Sequence, residues 1–131
     1  MISLKGNKFK NEKVVCIVKG ENNTLRINYG YSEAFVATYG SEEKRQSVLD
    51  DCYVRLTKKD FPLYTEHGVF NLKYVSAIHK VGENTFRINW GYDRDSHTDF
   101  SYQTEEEFEA KYNEYCNALK EFTQSRFFRF Y

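Results

Sequence analysis

Apolar and polar residues alternate with a period of two along two stretches that are written almost identically, NTLRINYGY (Asn23 to Tyr31) and NTFRINWGY (Asn84 to Tyr92). In the first, Leu25, Ile27 and Tyr29 alternate with Thr24, Arg26 and Asn28; in the second, Phe86, Ile88 and Trp90 alternate with Thr85, Arg87 and Asn89. A period of two belongs to a strand with one buried face, so the apolar set is the core candidate and the polar set looks outward. Just upstream, Val14, Cys16 and Val18 alternate with Val15, Ile17 and Lys19, and the intervening GENN predicts a turn between two antiparallel strands. Gly30 and Gly91 end the strands by permitting a sharp or left-handed backbone.

The likeness extends beyond the motif. Residues 9–31 align with residues 70–92 without a gap, at a constant offset of 61, and a two-residue insertion in YDRDSHTDF then shifts the offset to 63. EAFVATY and HTDFSY predict a further strand in each copy, and KGNKFK and GVFNL a short first one. Helical spacing follows in both: Val48, Leu49, Cys52, Tyr53 and Leu56 in the first copy, and Phe108, Tyr112, Tyr115, Leu119 and Phe122 in the second. Thr104 and Glu107 form a capping-box pattern at the start of the second helix.

The expected fold class is therefore α+β, with tandem ββββα repeats forming one pseudo-twofold domain, antiparallel sheets and one helix per repeat. The boundaries read as residues 1–57 for the first repeat, 58–65 for a linker containing the only proline (Pro62), 66–122 for the second repeat and 123–131 for an aromatic tail. That tail, SRFFRFY, is expected to pack as an extended segment or to dock a partner. Duplication has a physical reason without any ligand, because about 60 residues bury too little surface to be comfortable alone.

Composition narrows the functional classes. Aromatic residues make up 18% of the 131-residue chain, enough apolar area for a packed globule despite 29% charged residues. No stretch is apolar for long enough to act as a signal peptide or membrane helix, so a soluble cytoplasmic protein without a membrane partner is expected. Three cysteines, Cys16, Cys52 and Cys116, stand at wide spacings and read as small buried hydrophobes rather than as a disulfide or metal framework. Asn, Lys, Tyr and Phe are abundant, which fits an AT-rich coding sequence of bacterial or phage origin.

Candidate chemistry is sparse. Three histidines with no H-x-x-x-H, no G-x-S-x-G and no phosphate-cradling glycine loop point to a non-enzymatic module with no cofactor and no metal. The string Asp93, Asp95, His97, Asp99 has cation-binding residue types, but the first copy has only YSEAF there, and a solvated hairpin tip explains it. The net charge is zero, yet residues 1–31 carry six Lys/Arg against two Asp/Glu and residues 93–121 carry three against nine.

A basic sheet side facing away from an acidic helix is expected, with Lys19, Arg26, Asn28 and Tyr31, and their doubles Lys80, Arg87, Asn89 and Tyr92, as ligand-binding residues. Their identity between copies also fits a cross-strand polar ladder, where each pair contributes roughly 0.2–1 kcal/mol. Tandem ββββα units resemble in topology the PUR and Whirly proteins, and that resemblance implies single-stranded DNA or RNA bound on an exposed sheet. A protein partner is the alternative, for an adaptor or inhibitor acting through aromatic surface and tail, as monomer or homodimer.

Overall fold

A computed structural model describes residues 1–91 and 96–128, with side chains described through residue 125. It is mixed α+β, with three antiparallel sheets and, among the described residues, two α-helices. The chain divides into two compact units, Met1–Asn71 and Leu72–Tyr131.

The first unit begins with a hairpin of β1 (Ile2–Leu4) and β2 (Asn7–Phe9), followed by a 3-10 turn at Asn11–Lys13. Strands β3 (Val14–Lys19), β4 (Thr24–Tyr29) and β5 (Glu33–Thr38) lead to helix α1 (Glu42–Leu56). A second hairpin, β6 (Pro62–Thr65) and β7 (Gly68–Asn71), completes a five-stranded sheet of order β5-β4-β3-β7-β6. Helix α1 starts where Ser41 Oγ accepts the Lys44 N–H at 3.1 Å, satisfying one of the free amides of the first turn. Its buried residues Leu49, Cys52 and Leu56 cover Ile17, Leu25, Ile27 and Val69 of the sheet together with Ile2, Leu4 and Phe9 of the first hairpin. Each such aliphatic or aromatic side chain contributes about 1.5–3 kcal/mol by leaving water.

In the second unit a 3-10 turn at Leu72–Tyr74 precedes β8 (Val75–Gly82), β9 (Thr85–Trp90), β10 (His97–Ser101) and helix α2 (Glu105–Phe128). The sheet order is β10-β9-β8. Phe86 is the hub of its core, stacked on Phe100 at 5.0 Å and set edge-on to Tyr115 at 5.7 Å and Tyr112 at 5.6 Å. Thr104 Oγ1 accepts the Glu107 N–H at 3.1 Å, as the capping pattern requires.

Several backbone devices recur at the sequence offset. Gly30 N–H donates to Lys13 O and Gly91 N–H to Tyr74 O, both at 2.9 Å. Tyr39 N–H donates to Asn23 O and Tyr102 N–H to Asn84 O, both at 3.0 Å. The ladder slips by one residue between Val14 and Cys16 and again between Val75 and Ala77. Asn23 and Asn84 both take positive φ, 59° and 48°, in the turns where asparagine tolerates it best. Much of the identity in the repeated line thus has a backbone cause.

Three expectations need correction. Each copy holds five strands rather than four, because the short first strand is a two-stranded hairpin in both. The expected linker 58–65 contains β6: Leu63 and Thr65 alternate inward as buried residues, and Pro62 is tolerated as the first residue of an edge strand. The tail begins as helix, because no Gly or Pro interrupts the sequence after Thr104 and α2 runs on to Phe128. Residues 129–131 lie outside the described residues.

Candidate functional site

Cross-strand register assigns every side chain of the repeated line to a face. In the second sheet Phe86 stands opposite Lys80 and Phe100, while Arg87 stands opposite His79 and Asp99. Directly paired residues share a face. Lys80 therefore lies on the α2 side, where Nζ meets Glu109 Oε1 at 3.1 Å and sits 5.5 Å and 5.2 Å from the ring centroids of Phe108 and Tyr112. Lys19, opposite Leu25 and in line with Ala37, is likewise on the α1 side of its own sheet. The four repeated cations do not share one surface: Lys19 and Lys80 go with the helices, Arg26 and Arg87 with the faces opposite.

On the second sheet that opposite face carries three polar side-chain pairs among the described residues. Arg87 grips Asp99 through Nε at 2.7 Å and Nη2 at 3.1 Å, His79 Nε2 meets Asn89 Oδ1 at 2.8 Å, and Thr85 Oγ1 meets Ser101 Oγ at 3.0 Å. The Arg87 hydrogen bond holds the Asp99 carboxyl below its ordinary range, with smaller contributions from Arg87, His97 and His79 as nearby charges. Of the cation-type string, His97 and Asp99 stand on β10, and Asp93 and Asp95 lie outside the described residues, as does Tyr92.

The first sheet carries the same line with different neighbours. Arg26 stands between Val18 of β3 and Val36 of β5, the positions that His79 and Asp99 occupy beside Arg87. Ala34 takes the place of His97 and Thr38 that of Ser101. Arg26 is exposed and makes no ion pair or side-chain hydrogen bond among the described residues, and Val36 is 56% exposed. Asn28 is partly turned inward, its Oδ1 accepting the Cys16 thiol at 3.7 Å. Burial raises the Cys16 thiol far above its usual range, against smaller opposing effects of Arg26 and Asn28, so it is an inert core group. Tyr31, just past the Gly30 turn, is 73% exposed.

Across β3, β7 and β6 the same face is buried at Cys16, Phe70 and Leu63, so the open area is confined to β4 and β5. Its centre is Arg26 and its surroundings are Val18, Ala34 and Val36. These valines and the alanine were not singled out by the repeat, which draws the eye to positions that stay the same. The informative signal was the opposite one, the positions across the ladder where the copies differ, and it is readable only once register is known.

Cations gather elsewhere too. Lys10, Lys58, Lys59 and Arg55, with Asn11 and Glu12, line a shallow pocket of about 390 Å³ at the end of α1. Lysines and arginines at a helix C-terminus complement its dipole without any ligand.

No protein-family model, no curated protein and no solved structure matches this chain. The topological likeness to PUR and Whirly proteins therefore carries no assignment, and function rests on the chain's own geometry. Among the described residues, no helix is long and apolar enough to cross a membrane.

Proposed function

We propose that this chain is a non-enzymatic protein-binding module, built from a duplicated unit, that receives its partner on the open β4–β5 surface of the first sheet. One observation carries the reading: Arg26, which makes no ion pair or side-chain hydrogen bond among the described residues, stands between two valines at the position where the second copy locks its arginine onto Asp99. An arginine ringed by aliphatic surface is the composition of an interface centre, where Arg is enriched and a few residues dominate the affinity. The test is capture from native lysate with wild type, Arg26→Ala, Val36→Asp and Arg87→Ala. A protein retained after nuclease treatment, lost with the first two variants and kept by the third supports the reading. Capture indifferent to Arg26 refutes it.

A second reading, single-stranded nucleic acid as partner, has the basic pocket at the end of α1 in its favour. It is the weaker one, because strand binders track phosphates with several cations beside stacking rings. Here two of the four repeated cations, Lys80 and Arg87, already hold carboxylates. Salt-sensitive binding of an oligonucleotide, abolished by changing Lys58 and Lys59 to Ala together, would support it; no binding at low salt would remove it.

A further inference from the structure

Strand edges are templates for pairing, and folded chains blunt those they do not use. In the first sheet β6 opens with Pro62, which lacks the N–H a new strand needs. In the second sheet β8 is irregular at two places, between Val75 and Ala77 and between Lys80 and Gly82, and β10 presents His97 and Asp99. Strands β1 and β2 are only three residues long. Strand β5 has no proline, no register irregularity and six residues, and its one charged residue, Glu33, stands at its first position, away from Val36. Its six residues pair with β4 in unbroken register from Thr24/Thr38 to Tyr29/Glu33, and they include Val36 and Thr38, residues of high strand propensity. With Tyr39 N–H donating to Asn23 O at 3.0 Å, the alternation of an antiparallel ladder turns the backbone groups of Ala34, Val36 and Thr38 away from β4. All three residues are exposed.

The chain itself supplies the chemistry of what is absent. At the same place in the second copy, the strand beside the arginine brings a carboxylate that takes both Nε and Nη2 of Arg87. In the first copy that place is filled by Val36, so a carboxylate for Arg26 must come from the next strand out.

We propose that β5 is the docking edge for an extended segment of a partner protein, which adds as a sixth strand and carries an acidic residue to Arg26. This rests on the β4–β5 surface being the binding face, and it states the mode and the recognised chemistry. A strand added to β5 lies about 4.8 Å beyond it. Its residue opposite Val36 is two strand spacings from Arg26, a gap that glutamate and arginine span together more readily than aspartate does. The flanking residues on that face stand opposite Ala34 and Thr38, pack over them and Val36, and are β-branched or otherwise apolar; main-chain hydrogen bonds supply affinity and the alternate side chains supply choice.

The test is selection of displayed random seven-residue peptides on the full chain, on Arg26→Gln and on Val36→Pro. Proline at position 36 removes an outward N–H rather than a ladder bond to β4, and circular dichroism checks that the fold is kept. Wild type is expected to enrich alternating β-branched peptides around a glutamate. Arg26→Gln is expected to lose the acidic preference and to bind the best peptide about tenfold or more weakly, and Val36→Pro to lose enrichment. In wild type alone, the peptide should slow amide exchange at Ala34, Val36 and Thr38, a readout independent of whether any variant folds. Enrichment without an acid overturns the carboxylate recognition, and binding that persists in Val36→Pro overturns strand addition; either leaves the surface as the binding face if Val36→Asp still abolishes binding. Peptides indifferent to all of these variants, or no enrichment at all, overturn the inference, and the lysate capture then decides the surface by itself.

Discussion

Arg87 holds both carboxylate oxygens of Asp99, one strand across the second sheet, and the equivalent neighbour of Arg26 is Val36. The Arg87–Asp99 pair is partly exposed, at 32% and 40%, so its contribution is modest and salt-screened. Its pH dependence has a definite sign. A carboxyl whose folded value is depressed contributes stability above the unfolded value of 3.8 and loses it as pH falls through the lower folded value. Urea titrations of wild type and Asp99→Asn are expected to differ slightly and constantly at neutral pH, and to converge in strong acid. A difference that persists at about pH 2 would contradict the pairing.

Gly68 of β7 pairs with Val18 of β3. Its φ is 141°, and an added Cβ would collide with Ile17 O and lie 2.8 Å from Val18 Cα. Gly68→Ala is expected to cost more than about 3 kcal/mol, since the obstruction is backbone and cannot swing aside. Gly30, at φ 60° with nothing within 4 Å of an added Cβ, carries only the left-handed penalty of about 1–2 kcal/mol on change to Ala. Equal losses in chemical denaturation would refute this account of the β3–β7 approach.

Phe86 is fully buried among Phe100, Phe108, Tyr112 and Tyr115. Phe86→Ala is expected to destabilise the second unit by about 3–5 kcal/mol. The single tryptophan, Trp90, lies in that unit, so its fluorescence should report the loss directly. A variant whose Trp90 transition is unmoved would place the core elsewhere.

Burial pushes the Cys52 thiol up to about 12 and the Cys16 thiol further, while Cys116 is only partly buried and raised less. The thiolate is the reactive form. Alkylation of the native protein near about pH 8, followed by mass spectrometry, should label Cys116 first and the other two only on unfolding. Rapid native labelling of Cys16 would show that its strand opens locally.

Much of the fold was legible because its signals are local. The alternation of Leu25, Ile27 and Tyr29, the helical spacing of Leu49, Cys52 and Leu56, and the Thr104 cap all act within a few residues. Strand β3 was harder, since VVCIVK is apolar on both faces and alternation alone does not say which face a helix covers. The basic sheet side read from charge segregation failed for Lys19 and Lys80 for that reason: charge totals carry no face, and each lysine stands opposite a core residue, Leu25 or Phe86. Pro62 read as a linker because proline most often punctuates, and only pairing with Asn71 made it an edge strand.

By itself, the sequence determined the positions where the backbone must turn, Asn23, Gly30, Asn84 and Gly91, because steric limits on φ belong to the residue that occupies them. It also determined the caps and the apolar stripes of both helices. Only tertiary structure decided that Asp99 reaches Arg87 while Arg26 is left beside Val36, and that β7 joins the first sheet. Register couples residues far apart in the chain through many small cross-strand terms, and no local pattern encodes which distant neighbour a repeated arginine will meet.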